Sequence, residues 1–343
     1  MKQLVIVADQ RQSAIATSSQ EWSKILNAKI LYANEYLGTY SLVKAINNLN
    51  PDAILFSWRG ALLDTIENKK CVYFINKNLN QCRILFSVPD HLGLDKFYDS
   101  EKKLISFADA YLVVSEELFK SYSKKFVTNT PLSIIHDLPD KELIKLVQDE
   151  NNYKESNVIW VGNSKWGKRL GFKDHKGYQR YVVPFKRLLS KKFPSFNLVI
   201  IDRAKKYVPN LETLRQISKS KYLLQFSESE GTGLPILEAC ALGTIPISRR
   251  VGIINELFKG GLDNLVIENE KDAMQLIQNF ENSLSKLNLK MIYNEYISQS
   301  TKNISRVRIH SVEIKTTNRI VSKNSRIKIL SRKFKWIIRY LLK

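Results

Sequence analysis

Cysteine is scarce in this chain, with Cys71, Cys82 and Cys240 the three in 343 residues. An odd number, set in apolar or mixed stretches, reads as buried reduced thiols and speaks against a disulfide framework. Histidine occurs four times, and no Cys/His spacing matches a zinc site. No run approaches the ~18–20 apolar residues of a bilayer-spanning helix. The opening MKQLVIVADQ has the pattern of a first strand and lacks the longer apolar region and cleavage site of a signal peptide. The loop after that strand has no dinucleotide glycine fingerprint, so a nicotinamide-binding assignment has no support.

Acidic residues are also in deficit: 54 Lys and Arg face 33 Asp and Glu, for a net charge of +21. The excess is local. Residues 301–343 carry thirteen basic residues against one acid, Glu313, so more than half the surplus falls in the tail. After Ser325 as N-cap, Ile327, Leu330, Phe334, Ile337, Ile338, Leu341 and Leu342 form one helical stripe. Arg332, Lys335, Arg339 and Lys343 form a second, with Trp336 and Tyr340 at the boundary. A basic amphipathic helix with aromatics suits an anionic membrane surface, where each basic residue contributes ~1 kcal/mol. A helix docked on the protein core is the other reading.

A hydrophobic content of 44% supports packed cores, and the length suits two domains. In residues 1–136 the strand candidates are Leu4–Ala8, Ile30–Ala33, Ala53–Trp58, Ile84–Val88, Ala110–Val114 and Leu132–Ile135. Amphipathic stretches such as Ser41–Leu49, Leu94–Phe107 and Glu116–Phe126 lie between them. Strands alternating with helices predict a parallel sheet covered on both faces. Residues 137–157 are polar and charged and read as a linker with one short helix at most. The pattern then restarts: strands at Val158–Val161, Leu198–Ile201, Tyr222–Phe226, Ile245–Ser248 and Leu265–Ile267. Helices are expected at Tyr178–Phe193, Leu211–Ser218, Leu234–Leu242, Ile253–Phe258 and Asp272–Leu284. The expected division is 1–140, a linker at 141–157, a second domain at 158–300 and the basic tail at 301–343.

The most informative stretch is Ser227–Arg250, SESEGTGLPILEACALGTIPISRR. It leaves a strand, turns through Gly231 and Gly233, and opens a helix with Pro235 in the first turn, where a missing N–H costs nothing. Leu234, Leu237, Cys240 and Ala241 recur at helical spacing, and Gly243 ends the helix. A glycine-loosened turn at a helix N-terminus offers N–H groups and a positive dipole end to an anion. Glu230 and Glu238 flank it, and carboxylates beside an anion site serve hydroxyl groups, or else cap and solvate the helix.

Glu230–Gly231–x–Gly233–Leu234–Pro235–x–x–Glu238–Ala239, followed by Gly243–Thr244–x–Pro246, resembles the donor-site signature of retaining GT-B glycosyltransferases, family four (group 1). Thr232 stands where that family usually has an aromatic. Phe107–Ser115 resembles the strand that ends the first half of such enzymes. Gly162 and the Lys176–Gly177 pair match the family's first loop of the second half, whereas Asn163 and Ser164 occupy the place of its arginine. Lys165, Lys168 and Arg169 are the candidates to supply the missing charge.

The resemblance implies an α/β fold of GT-B architecture, two Rossmann-like doubly wound domains facing across a cleft, and covers nearly all of residues 1–285. It implies a transferase using a nucleotide-sugar donor. Gly162, Asn163, Lys176, Gly231, Thr232, Gly233, Leu234 and Glu238 are then the donor-binding residues, with Glu238 on the ribose and Glu230 beside the sugar as a catalytic residue. Asp90 and His91, closing the strand that ends at Val88, are candidates to contact the donor sugar or the acceptor, His91 having a purely structural role as its other reading. No Asp-x-Asp metal clamp occurs, so transfer without a metal or other cofactor is expected. The partners implied are a nucleotide-sugar, a glycan or lipid-linked acceptor and, through the tail, an anionic membrane at the cytoplasmic face, in bacterial cell-surface polysaccharide synthesis. Two other classes stay open. A basic nucleic-acid-binding protein would show steep salt-dependent binding to random DNA, although no recognisable nucleic-acid motif accompanies the charge. An epimerase, hydrolase or phosphorylase on the same fold would turn over donor without acceptor. A catalytically idle scaffold is a third possibility, given the absent arginine.

Overall fold

The computed structural model describes residues 3–150, 153–258, 263–282 and 287–314. The amphipathic helix expected from Ser325 lies outside the described residues. Six strands form the first sheet: β1 (Leu4–Ala8), β2 (Lys29–Tyr32), β3 (Ala53–Phe56), β4 (Arg83–Val88), β5 (Ala110–Val113) and β6 (Ser133–Ile134). Their order is β2-β1-β3-β4-β5-β6, and β1 pairs in parallel with both β2 and β3, as does β3 with β4. Every residue of β1 is buried, as a parallel strand covered on both faces requires, which is why it reads as an unbroken apolar run.

Between these strands run α1 (Ala14–Leu26), α2 (Thr39–Asn48), α3 (Arg59–Glu67), α4 (Lys69–Asn78), α5 (Leu92–Asp95), α6 (Tyr98–Phe107) and, after β5, α7 (Glu116–Lys125). Helix α1 is absent from the sequence expectation because its stripe is made of small and polar residues. Ser13 caps it by accepting from Ala16 N at 2.9 Å. Ser19 lies fully buried, its hydroxyl 2.7 Å from both the Ile15 carbonyl and Ser57 Oγ. A serine whose hydroxyl is satisfied packs like a small apolar residue. The helix expected over Leu94–Phe107 is broken into α5 and α6.

The second sheet holds β7 (Glu155–Gly162), β8 (Asn197–Asp202), β9 (Ser220–Gln225) and β10 (Ile245–Ser248), all parallel, in the order β10-β9-β7-β8. Its faces follow the period of two. Val158, Trp160, Tyr222 and Leu224 enter one core, whereas Ile159 and Leu223 enter the other. Around it run α8 (Lys141–Asp149), α9 (Val183–Lys192), α10 (Asn210–Lys219), α11 (Leu234–Ala241), α12 (Ile254–Leu257), α13 (Glu270–Asn282) and α14 (Leu289–Ser305). The polar stretch read as linker thus contains α8, capped by Asp140, with Ile144 and Val147 in the core. In place of a strand at Leu265–Ile267 there is a 3₁₀ turn, Asp263–Leu265, and a single bridge from Val266 to Ser248. The helix expected from Tyr178 begins as a π turn, Tyr178–Val182, with Val182 N donating to Gly177 O. Pro184, which has no N–H to give, follows at the start of α9, so the ladder shifts there.

The chain groups into two compact units. Of the described residues, 3–88, 92–112 and 308–314 make the first, where Arg83 Nε donates to Val312 O at 2.7 Å. Residues 89–91 and 113–307 make the second. Among the described residues no helix is long and apolar enough to cross a membrane.

Candidate active site

Within the second unit, the candidate site forms where β9 ends and α11 begins. Gly233 is the residue before α11 and takes φ +86°, a left-handed conformation that a side chain strains. No side chain caps α11; Pro235 has no N–H and Ile236 N donates to Gly233 O at 2.9 Å, which leaves the Leu234 N–H at the helix entrance for a ligand. At Gly231 the constraint is space. A Cβ there would lie 1.7 Å from the carbonyl oxygen of Pro89. The glycine therefore lets the turn pack directly on the backbone that leads into Asp90 and His91. His91 Nε2 sits 3.4 Å from Glu117 Oε1, and Asp90 is half-buried.

The loop 174–177 is clamped onto the segment between β9 and this turn. Glu228 N donates to His175 O at 2.9 Å, and the His175 ring meets Ser229 O at 3.1 Å. His175 is buried against Trp166 and Phe172, with ring centroids 4.4 and 4.9 Å away. Burial, and next the charge of Lys176, hold its imidazole below the ordinary range. Lys176 then reaches Glu230 and forms an ion pair with its carboxylate, while its ammonium lies 5.4 Å over the Trp166 ring. Two residues assigned to separate roles by sequence thus neutralise each other beside the uncapped helix end.

Glu238 is 6% exposed, within α11. Burial pushes its carboxyl from its ordinary 4.5 up to about 7, against the pull of the Arg203 charge. The unfolded chain ionises near 4.5, so between that pH and about 7 the native state holds the extra proton. The stability contributed by the neutral acid is complete below pH 4.5 and lost as pH rises through about 7, a change of about 3 kcal/mol. Glu238→Gln is therefore expected to melt several degrees above the parent at pH 8 and level with it at pH 4. Thermal unfolding at both values checks this, and an equal difference at the two would refute it.

The remaining donor candidates lie in the second unit too. Gly162 ends β7 and accepts from Arg203 N at 2.8 Å. Asn163 closes its own loop, with Oδ1 accepting from Lys165 N at 3.0 Å. Ser164, with Asn163 one of the two residues in the place of the arginine, is bound at backbone and hydroxyl to Asp202, at 3.0 and 2.7 Å. Burial raises the Asp202 carboxyl, but the Ser164 bonds, the Ala204 N–H and the Lys205 charge outweigh it and leave it below the usual range. Lys165 and Lys168 are exposed. Arg203, at the end of β8 and within electrostatic reach of Glu238, is a cation the sequence reading passed over. Leu234 packs on the core beside Leu237.

A buried polar set behind the turn was also missed. Thr232 is 3% exposed and donates to Asp137 Oδ2 at 2.8 Å. The neighbouring His136 lies 2.8 Å from Glu256 Oε2, and Glu256 Oε1 accepts from Glu116 N at 2.8 Å. Thr232 thus takes the aromatic's place as a hydrogen-bonded anchor. Nothing in the sequence links positions 137 and 232, which meet only in the fold. Among the described residues, no group of three or more His, Cys, Asp or Glu is placed to hold a metal.

Two parallel-sheet units with a glycine turn at the carboxyl end of a central strand have the fold of the GT-B glycosyltransferases. Residues 205–299, which include that turn and Glu230 and Glu238, match the family model described as Glycosyl transferases group 1. The fold is similar to that of trehalose-6-phosphate synthase OtsA, with TM-score 0.57 and 11% identity over 89% of this chain and 96% of that one. It is similar to Anabaena Alr3699/HepE in complex with UDP, with TM-score 0.53 and 12% identity over 89% and 98%. A mutant of S. aureus TarM, in complex with fondaparinux, alpha-GlcNAc-glycerol and UDP, gives TM-score 0.49 and 15% identity over 80% of this chain, which spans 57% of TarM. No curated protein matches the chain.

Proposed function

We propose that the chain is a retaining, family-four glycosyltransferase that moves a sugar from a nucleoside diphosphate to a glycan or lipid-linked acceptor without a metal ion. The observation that carries this reading is the Lys176–Glu230 pair beside the uncapped start of α11, inside the unit whose residues 205–299 match the group 1 model. In the reaction the bond from the anomeric carbon to the diphosphate oxygen breaks, the acceptor hydroxyl oxygen bonds to that carbon, and its proton passes to the departing diphosphate. Charge develops on the leaving diphosphate, where Lys176, once freed from Glu230, and the N–H at the entrance of α11 stabilise it. Glu230, released from Lys176 as the phosphate arrives, orients the sugar and steadies positive character at the anomeric carbon. Glu238 binds the ribose hydroxyls, and Asp90 and His91 meet the sugar or the acceptor.

On this reading residues 1–140 are the acceptor-side domain and 158–300 the donor domain, joined by 141–157. The tail 301–343 holds the protein to the cytoplasmic face of an anionic membrane, in cell-surface polysaccharide synthesis. UDP is carried by HepE in the structure described above. A thermal-shift series with UDP, ADP and GDP tests the proposal. One of them is expected to stabilise the protein by ~2.7 kcal/mol at one hundred times its Kd, and no shift with any nucleotide would overturn it.

A further inference from the structure

In the first unit, far in sequence from the donor turn, α2 and α4 pack side by side and carry an exposed face of unusual composition. Leu37, in the loop before α2, is 100% exposed. Tyr40, in the first turn of α2, and Tyr73, one turn into α4, are 37% and 69% exposed. Tyr40 is edge-on to Phe74 at 5.8 Å, which ties the two helices together. Tyr40, Lys69, Lys70 and Tyr73 line a concavity of about 380 Å³. Lys44 reaches back over the Tyr40 ring at 4.9 Å. Three positive charges thus surround two tyrosines, with a leucine at most ~11 Å of chain from Tyr40. Glu35, the acid that precedes the loop, is taken by Arg11 at 2.5 Å.

We propose that this face is a docking site for an anionic lipid bilayer, with Leu37 entering the acyl boundary, the tyrosines at headgroup level and Lys44, Lys69 and Lys70 on lipid phosphates. Each part needs the others. A fully exposed leucine gains nothing from a soluble anion but gains the transfer free energy of its side chain at a membrane. Tyrosine is enriched at membrane interfaces because its ring is apolar and its hydroxyl wet. Lysine stems lie along apolar surface while their ammonium groups reach the phosphates. The α4 N-terminus adds its positive dipole end, with Asn68 accepting from Lys70 N at 3.1 Å. A nucleic acid would use the lysines and leave Leu37 without a role. The site is independent of the donor reading, and it places a second membrane contact in the described structure beside the one proposed for the tail.

The test is sedimentation of the full-length protein with vesicles of phosphatidylcholine and phosphatidylglycerol. Lys69→Ala with Lys70→Ala is expected to lower the partition coefficient about 30-fold, at ~1 kcal/mol for each lysine. Leu37→Ser is expected to lower it about tenfold at every salt concentration. Lys186→Ala with Lys191→Ala, on α9, removes the same charge elsewhere and is expected to change binding less than threefold. Equal losses from the α4 and α9 pairs would reduce the effect to net charge and overturn the proposal, as would unchanged binding by Leu37→Ser. Binding to soluble dextran sulfate that depends on Lys69 and Lys70 but not on Leu37 would overturn it in favour of an anionic glycan. Nucleotide thermal shifts measured on the same variants are expected to match the parent, which keeps a failure here distinct from a failure of the donor site.

Discussion

Gly231→Ala is expected to cut sugar transfer about 100-fold or more. The new Cβ would lie 1.7 Å from Pro89 O and 2.7 Å from its carbonyl carbon, and 3.1 Å from Val114 Cγ2. The first two are backbone atoms, so no rotamer change relieves the clash. Either the turn moves away from Pro89 or the segment carrying Asp90 and His91 moves away from the turn. A displacement of about 1 Å at a reacting centre costs on the order of 100-fold. Gly243→Ala is the control: its φ of +68° makes the substitution strained, yet nothing lies within 4 Å of the added atom. That variant is expected to lose about 1 kcal/mol of stability and little kcat. Steady-state kinetics with thermal melts separates the two. Near-parent turnover by Gly231→Ala would remove the turn from the reaction.

Lys176→Ala is expected to lower kcat/KM by 100- to 1,000-fold, the range for loss of one preorganised group that stabilises developing charge. Both side chains of the pair are largely shielded from water, 19% and 17% exposed, so the variant also leaves the Glu230 carboxylate without its partner and is expected to melt below the parent, which thermal unfolding reads separately from kcat/KM. Glu230→Gln distinguishes the members of the pair. Glu230 pairs with Lys176 in the structure, so on the proposed function a nucleoside diphosphate displaces Glu230 to reach the lysine. Freed of that competitor, Lys176 in Glu230→Gln should bind the free nucleoside diphosphate tighter by up to ~5-fold, while transfer falls. Calorimetric titration of the nucleotide reads the first effect and product formation the second. Weaker nucleotide binding by Glu230→Gln would show that the pair is a structural brace.

The α/β class was readable from the chain because its strands are buried on both faces and written in continuous apolar letters: LVIVA at 4–8, AILF at 53–56 and YLLQF at 222–226. The turn at 230–238 was readable for a related reason. Glycines, a proline and two acids at fixed spacing form a local pattern, and local geometry needs no distant partner. Helices α1 and α14 fall outside the sequence expectation because their buried stripes are polar or diluted, and only packing against the rest of their unit makes helices of them, whereas α8 is the one short helix expected within 137–157.

The turn's residues, the apolar runs that become its strands and the positive charge of the tail are properties of sequence. What those residues touch is a property of the fold. That Lys176 meets Glu230, that Ser164 is held by Asp202, that Thr232 leans on Asp137 and that Gly231 lies on Pro89 each joins positions 38 to 142 residues apart. So does the ionisation of Glu238, which depends on the desolvation imposed by its surroundings and on Arg203. Backbone preference and side-chain period act within a few residues and are legible one position at a time. Electrostatics, close approach and desolvation act through space, and only the folded chain assigns them.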